Sequence, residues 1–124
     1  MGGIEDRREL RYHFIGDDFP GAFLLGKTGK KFNGRPVDVS NRGLGLISNI
    51  SLDAGMLIIM QIGNYTLHLE VMYCNPHLGI DGKFRAGLFS REAEGSLVQS
   101  FFDAGLGDSL TDQPISQMPV RLSA

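Results

Sequence analysis

Two short clusters in the sequence carry side chains suited to gripping an anion or a flat polar ring. Arg7, Arg8 and Arg11 stand close together near the start, with Arg7 and Arg11 four residues apart. The second cluster is Asp38-Val39-Ser40-Asn41-Arg42-Gly43. A guanidinium is a planar fork of N–H donors that matches phosphate oxygens two at a time and stacks on flat rings. In a helical turn Arg7 and Arg11 would share a face; in a loop they could clasp a ligand from two sides. An ionised aspartate only accepts hydrogen bonds, so Asp38 asks for a partner rich in N–H groups, and Ser40 can donate or accept beside it. Gly43 provides a backbone conformation, or a close approach, that a side chain would block.

Composition narrows what such groups can bind. The chain has 124 residues, the size of one domain with one core. Its net charge of −2 and pI near 5.8 argue against long nucleic acid, which needs a basic face, but leave room for a small anion held by a few arginines. Cys74 is the single cysteine, so neither a disulfide framework nor a thiolate zinc cluster is expected. His13, His68 and His77 lack metal-ligand spacing, and no metal or cofactor is expected. The first residues have no apolar core of a secretory signal, and Met56–Ile62, interrupted by Gln61, is too short to span a membrane. A cytoplasmic protein without membrane insertion is the expectation.

The elements that must position these groups read as short strands. Pro20–Gly26, Arg35–Val39, Leu44–Ser48, Met56–Ile62, a strand through Thr66 and Val71 that Asn75-Pro76 ends, and Phe84–Phe89 are the six candidates. Leu67, Leu69 and Val71 alternate with Thr66, His68 and Glu70, the mark of a strand with one buried face. Gly63-Asn64 predicts a two-residue hairpin. Pro36 places the start of its strand at a sheet edge, or stands itself at the first strand position. Met56, Met60 and Met72 are expected in the core, and Cys74 is read as a small packed side chain. Ser90, with Glu92 behind it, reads as a helix cap, and Leu97, Val98, Phe101 and Phe102 share one face of a helix that Gly105 stops. The expected fold is a small six-stranded antiparallel β-barrel with one C-terminal α-helix. Residues 1–13 are expected to form a mobile arm, 14–106 the barrel and helix, and 107–124 a loose tail, with Val120 and Leu122 as a possible last strand.

The letters Gly21 to Thr28 match GxxxxGK[ST], but the residues between the glycines are bulky and apolar, and the next stretch, Gly29 to Gly34, cannot start a helix. A phosphate cradle needs that helix N-terminus, so nucleotide hydrolysis is set aside. No arrangement for nucleophilic or acid–base catalysis is visible, and the chain is not expected to be an enzyme.

Taken in order, Arg7-Arg8-Glu9-Leu10-Arg11 (RxxxR), Asp38–Gly43 (DxSxxG) and the late strand Phe84-Arg85-Ala86-Gly87-Leu88-Phe89 resemble the signature of the PilZ domain family. The resemblance spans residues 7–102. It implies a split barrel that binds the bacterial second messenger cyclic di-GMP, with Arg7, Arg11, Asp38, Ser40 and Gly43 as ligand-binding positions. Arg8 and Arg42 are possible extra contacts. The chemistry agrees: guanine O6 and N7 suit an arginine fork, and its N1–H and amino group suit Asp38. The implied mechanism is ordering of the arm by ligand, read by an unidentified protein effector. The alternative is a PilZ-fold interaction module that does not bind the nucleotide.

Overall fold

The alternation in Leu67, Leu69 and Val71 sets the architecture, because all three are buried while Thr66 and His68 are exposed. A strand with one dry face must share it with neighbours, and this one lies in the interior of a sheet, paired on both sides. The computed structural model describes residues 11–16 and 18–112. It contains β1 (Tyr12–Phe14), β2 (Ala22–Leu25), β3 (Lys31–Phe32), β4 (Gly34–Val39), β5 (Gly43–Ser48), β6 (Leu57–Ile62), β7 (Tyr65–Pro76), β8 (Phe84–Ser90), α1 (Ser96–Asp103), a short 3-10 turn (Gly107–Ser109) and β9 (Leu110–Thr111). All the strands belong to one antiparallel sheet, in the order β3-β2-β6-β7-β8-β5-β4-β1-β9.

The sheet has to curl. Only Asn33 separates β3, at one end of that order, from β4, seventh along it. One residue spans a few ångströms, so the end of β3 and the start of β4 must lie close together. Asn33 is pinned there: its N–H donates to Asn49 Oδ1 (3.1 Å) and its carbonyl accepts from Asn49 N–H (3.0 Å). The inner face of the curl holds the core, including Phe23, Leu44, Leu46, Ile58, Met60 and Leu69, and α1 contributes Leu97 and Phe101 to it.

Six strands were expected and nine are present among the described residues. The three extra ones, β1, β3 and β9, have two or three residues each. Segments that short carry no period and are held by their neighbours. Tyr12 and His13, expected in the arm, pair with Val39 and Asp38, so this part of the chain is sheet. Residues 107–111, expected in a loose tail, form the turn and β9, which pairs with β1. Val120 and Leu122 lie outside the described residues. Pro36 is third in β4 rather than at its start, on a stretch beyond the Val39 and Asp38 positions that β1 pairs.

The helix starts later than its cap signal suggests. Ser90 ends β8 with its side chain buried, and its Oγ accepts the Glu92 N–H (3.2 Å). Glu92 Oε2 then accepts from the His68 backbone N–H (2.9 Å) and lies 2.7 Å from His68 Nδ1. The Ser-x-Glu segment therefore ties β8 to β7, and α1 begins only after Gly95, at φ 90°. Gly105 does stop the helix. At φ 84° its N–H donates to the Phe102 carbonyl and that of Leu106 to Phe101, the pattern of a Schellman motif.

Two carboxylates fasten this region. Hydrogen bonding to His68 holds Glu92 below its ordinary value, and bonds from Tyr65 and Gln99 do the same for Asp103 at the end of α1. A depressed folded value means the contribution is present above the unfolded carboxylate range and lost as pH falls through the folded value. Asp103→Asn should therefore lower the unfolding midpoint slightly at neutral pH, with the gap to the parent closing on acidification, as thermal melts across pH would show.

Candidate ligand cleft

The DxSxxG segment is a hairpin joint. β4 ends at Val39 and β5 starts at Gly43, and two reciprocal bonds close the turn. Ser40 N–H donates to the Gly43 carbonyl (2.8 Å), and Gly43 N–H donates to Ser40 Oγ (3.1 Å). The spacing of Ser and Gly thus has a local structural reason. Ser40 is fully buried, and in this structure its Oγ accepts from the turn rather than lining the outer cleft. Ser40→Ala should cost about 1 kcal/mol, the worth of one such bond, in urea unfolding.

Asp38 reaches the outer face because of a bulge. Pro36 pairs with Leu46 and Asp38 with Gly45, so Val37 is an extra residue. Pro36 and Val39 are both buried, three positions apart, which breaks the period of two. Were Val37 paired as a regular strand residue, Asp38 would share the inward face of Pro36. The same device recurs in β7. Val71 pairs with Leu88 and Tyr73 with Gly87, leaving Met72 as the extra residue. Met72, expected in the core, is exposed, and Tyr73 beside it is exposed as well. Alternation resumes at Cys74, which packs against the core and accepts the Leu52 N–H (3.4 Å).

Both bulges end on one row across the sheet: Asp38, Gly45, Gly87 and Tyr73 are successive register partners on β4, β5, β8 and β7. Neither central position has room for a Cβ while the neighbouring side chains stay where they are. A Cβ on Gly45 would fall 2.5 Å from Asp38 Oδ1 and 2.8 Å from Arg85 Nη1, and one on Gly87 would fall 2.3 Å from the Tyr73 ring. Above this floor lies an open cleft of about 270 Å³, walled by Arg11, Asp38 and Arg85 on one side and Met72, Tyr73 and Phe89 on the other. Small-molecule pockets run from roughly 300 to 1,000 Å³. The described residues therefore offer a shallow platform, which a larger ligand would overhang.

The polar wall is an ion cluster. Arg11 Nη1 bonds Asp38 Oδ1 at 2.6 Å, and Arg85 Nη2 stands 3.5 Å from Asp38 Oδ2 while its Nη1 donates to the Ala86 carbonyl (2.9 Å). Side-chain exposures are 44% for Arg11, 31% for Arg85 and 15% for Asp38. A pair this open to water adds only about 0–1 kcal/mol to stability.

Of the residues expected to bind ligand, Arg11, Asp38 and Gly43 line this cleft. Gly43 acts by close approach: a Cβ there would meet Arg11 Nη2 and Ser40 Oγ at 3.3 Å each. Arg42 is at the margin, its guanidinium carbon 5.6 Å from the centre of the Phe89 ring. Arg7 and Arg8 lie outside the described residues. Sequence reasoning assigned no ligand role to Arg85, Gly45 or Tyr73; the only signal was Arg85 and Gly87 in the late strand. The letters Gly21–Thr28 fall on β2 and the turn after it, and a two-residue strand rather than a helix comes next. Among the described residues no cluster of His, Cys, Asp and Glu is arranged to hold a metal, and no helix is long and apolar enough to cross a membrane.

Comparison with known proteins places this fold. Among solved structures, the chain resembles the PilZ domain with c-di-GMP of YcgR from Escherichia coli, with a TM-score of 0.54 and 17% identity over 83% of this chain and 90% of that one. The curled sheet, with the one α-helix among the described residues, is thus a PilZ-like fold. No family model and no curated protein matches the sequence.

Proposed function

We propose that the protein is a binding module, not an enzyme, and that its ligand is cyclic di-GMP held on the outer face of β4, β5, β7 and β8. The observation that carries this reading is the meeting of Arg11 with Asp38, 27 residues apart in sequence, over a floor of glycines that leaves a flat surface open. Such a floor admits a planar base, Asp38 accepts the N1–H and amino protons of guanine, and Arg11 serves guanine O6 and N7 or a phosphate. Ser40 and Gly43 hold the turn that aims Asp38, while Arg7 and Arg8 are proposed to complete the ligand shell. The structural neighbour is described with c-di-GMP, which supports the same ligand class.

The relay is also proposed: ligand orders the segment ahead of β1, and an unidentified protein effector reads the change, an order–disorder switch. Amide hydrogen exchange tests this step. Residues 1–10 should become protected at saturating cyclic di-GMP, and unchanged exchange there would refute it.

Calorimetric titration with cyclic di-GMP, with GTP and cyclic di-AMP as controls, tests the binding itself. Saturable heat with cyclic di-GMP alone is expected. No heat, with a second method agreeing, would leave the fold and make the protein an interaction module.

Gly87→Ala gives a local check. The new methyl group must displace the Tyr73 ring, which is exposed and free to swing away, so stability should change by less than about 1 kcal/mol. Cyclic di-GMP affinity should fall roughly tenfold as the floor is filled. Parent-like affinity would move the ligand off this platform.

A further inference from the structure

The two guanidiniums beside Asp38 are not equivalent. Arg11 directly precedes β1, is nearly half exposed, and takes Oδ1 of the carboxylate. Arg85 sits on β8, which pairs on both sides, and it takes Oδ2. Its Nη1 is tied to the Ala86 carbonyl, and its guanidinium lies on Gly45 so closely that a Cβ there would stand 2.8–2.9 Å from both terminal nitrogens. Glycine at 45 is therefore what lets Arg85 reach across β5 to β4.

Resting on the reading that cyclic di-GMP binds this cleft, we infer that Arg85 is the fixed counter-ion that orients Asp38, and that Arg11 is an exchangeable one. Ligand displaces Arg11 from Oδ1, and Arg11 turns to the ligand's phosphate or purine edge. Oδ2 keeps its partner throughout, so the carboxylate does not rotate when Oδ1 is released. A carboxylate has about four lone-pair sites, so Oδ2 can accept from guanine while Arg85 still holds it. The shorter Arg11 contact is the one that breaks, because the water-exposed guanidinium loses least by leaving and a phosphate replaces its partner. Arg85 is thus a positioning residue, and the ligand-free site is closed by its own ion pair.

Arg85→Gln, Arg85→Lys and the parent, titrated with cyclic di-GMP and followed by arginine Nε–Hε NMR, test this. Arg85→Gln should bind roughly tenfold more weakly, and Arg85→Lys should recover most of the loss, since a charge at that place suffices to hold Oδ2. In the parent, ligand should shift the Arg11 signal and leave that of Arg85 in place. Thermal melts identify a variant that fails to fold, in which case the Lys variant and the parent spectra decide. Parent-like binding by Arg85→Gln, or an Arg85 signal that moves while that of Arg11 stays, overturns this inference alone. Absence of binding by the parent overturns it together with the reading beneath it.

Discussion

Asp38→Ala should weaken cyclic di-GMP binding by roughly ten- to a hundredfold, because a lost bidentate contact to a base costs about 1–3 kcal/mol. The variant removes the acceptor for the guanine edge and leaves Arg11 and Arg85 facing each other without the anion between them. Asp38→Asn separates these effects. It keeps the shape and one carbonyl oxygen, but its amide offers donors where guanine and both arginines also donate. Asn should therefore bind about as weakly as Ala. Both should unfold in urea within about 1 kcal/mol of the parent, since the cluster is open to water. Calorimetry beside urea unfolding checks both halves. An Asn variant that binds like the parent would mean that Asp38 does not read the N1–H and amino edge.

The largest effect on stability is expected at the other side of the sheet. Phe101 is fully buried, with ring contacts to Phe14 and Phe19, and it pins α1 to the core. Phe101→Ala should cost about 3–5 kcal/mol through lost burial and the cavity left behind. Against a total of roughly 5–15 kcal/mol for a domain, that is a large share. Its neighbour is the contrast. Phe102 is 41% exposed and meets Tyr12 edge to face at 5.7 Å, so Phe102→Ala should cost only about 1 kcal/mol. Urea unfolding of the two variants gives the ratio, and equal losses would contradict the packing described.

How much could be read from the sequence depends on the range of the forces. β7 was legible because burial of alternate residues is a local pattern. Gly63-Asn64 and Gly105 were legible because positive φ favours particular residues, and both sit where expected, at φ 57° and 84° for the two glycines. Ser90 misled because its local chemistry suits a cap equally well; pairing of β8 with β7 and β5 took it into the sheet. β1, β3 and β9 exist only through their neighbours. At the cleft, Arg11, Asp38 and Gly43 were visible through their motifs. Arg85, Gly45 and Tyr73 were not assigned roles, because their work depends on a row spanning four strands and on two bulges that leave no mark in composition.

Those bulges make the cleft a matter of parity. Val37 and Met72 each add one residue to a strand, and each shifts the rest of that strand by half a pleat. Flattening either bulge, so that the extra residue takes a regular place in the ladder, would restore strict alternation while leaving every side chain of the site in the sequence. Asp38 or Tyr73 would then face the core, and an inward residue would take its place above the glycines. A platform of this kind is gained or lost by a one-residue slip in how a strand is paired, a step that no comparison of residue types alone would detect.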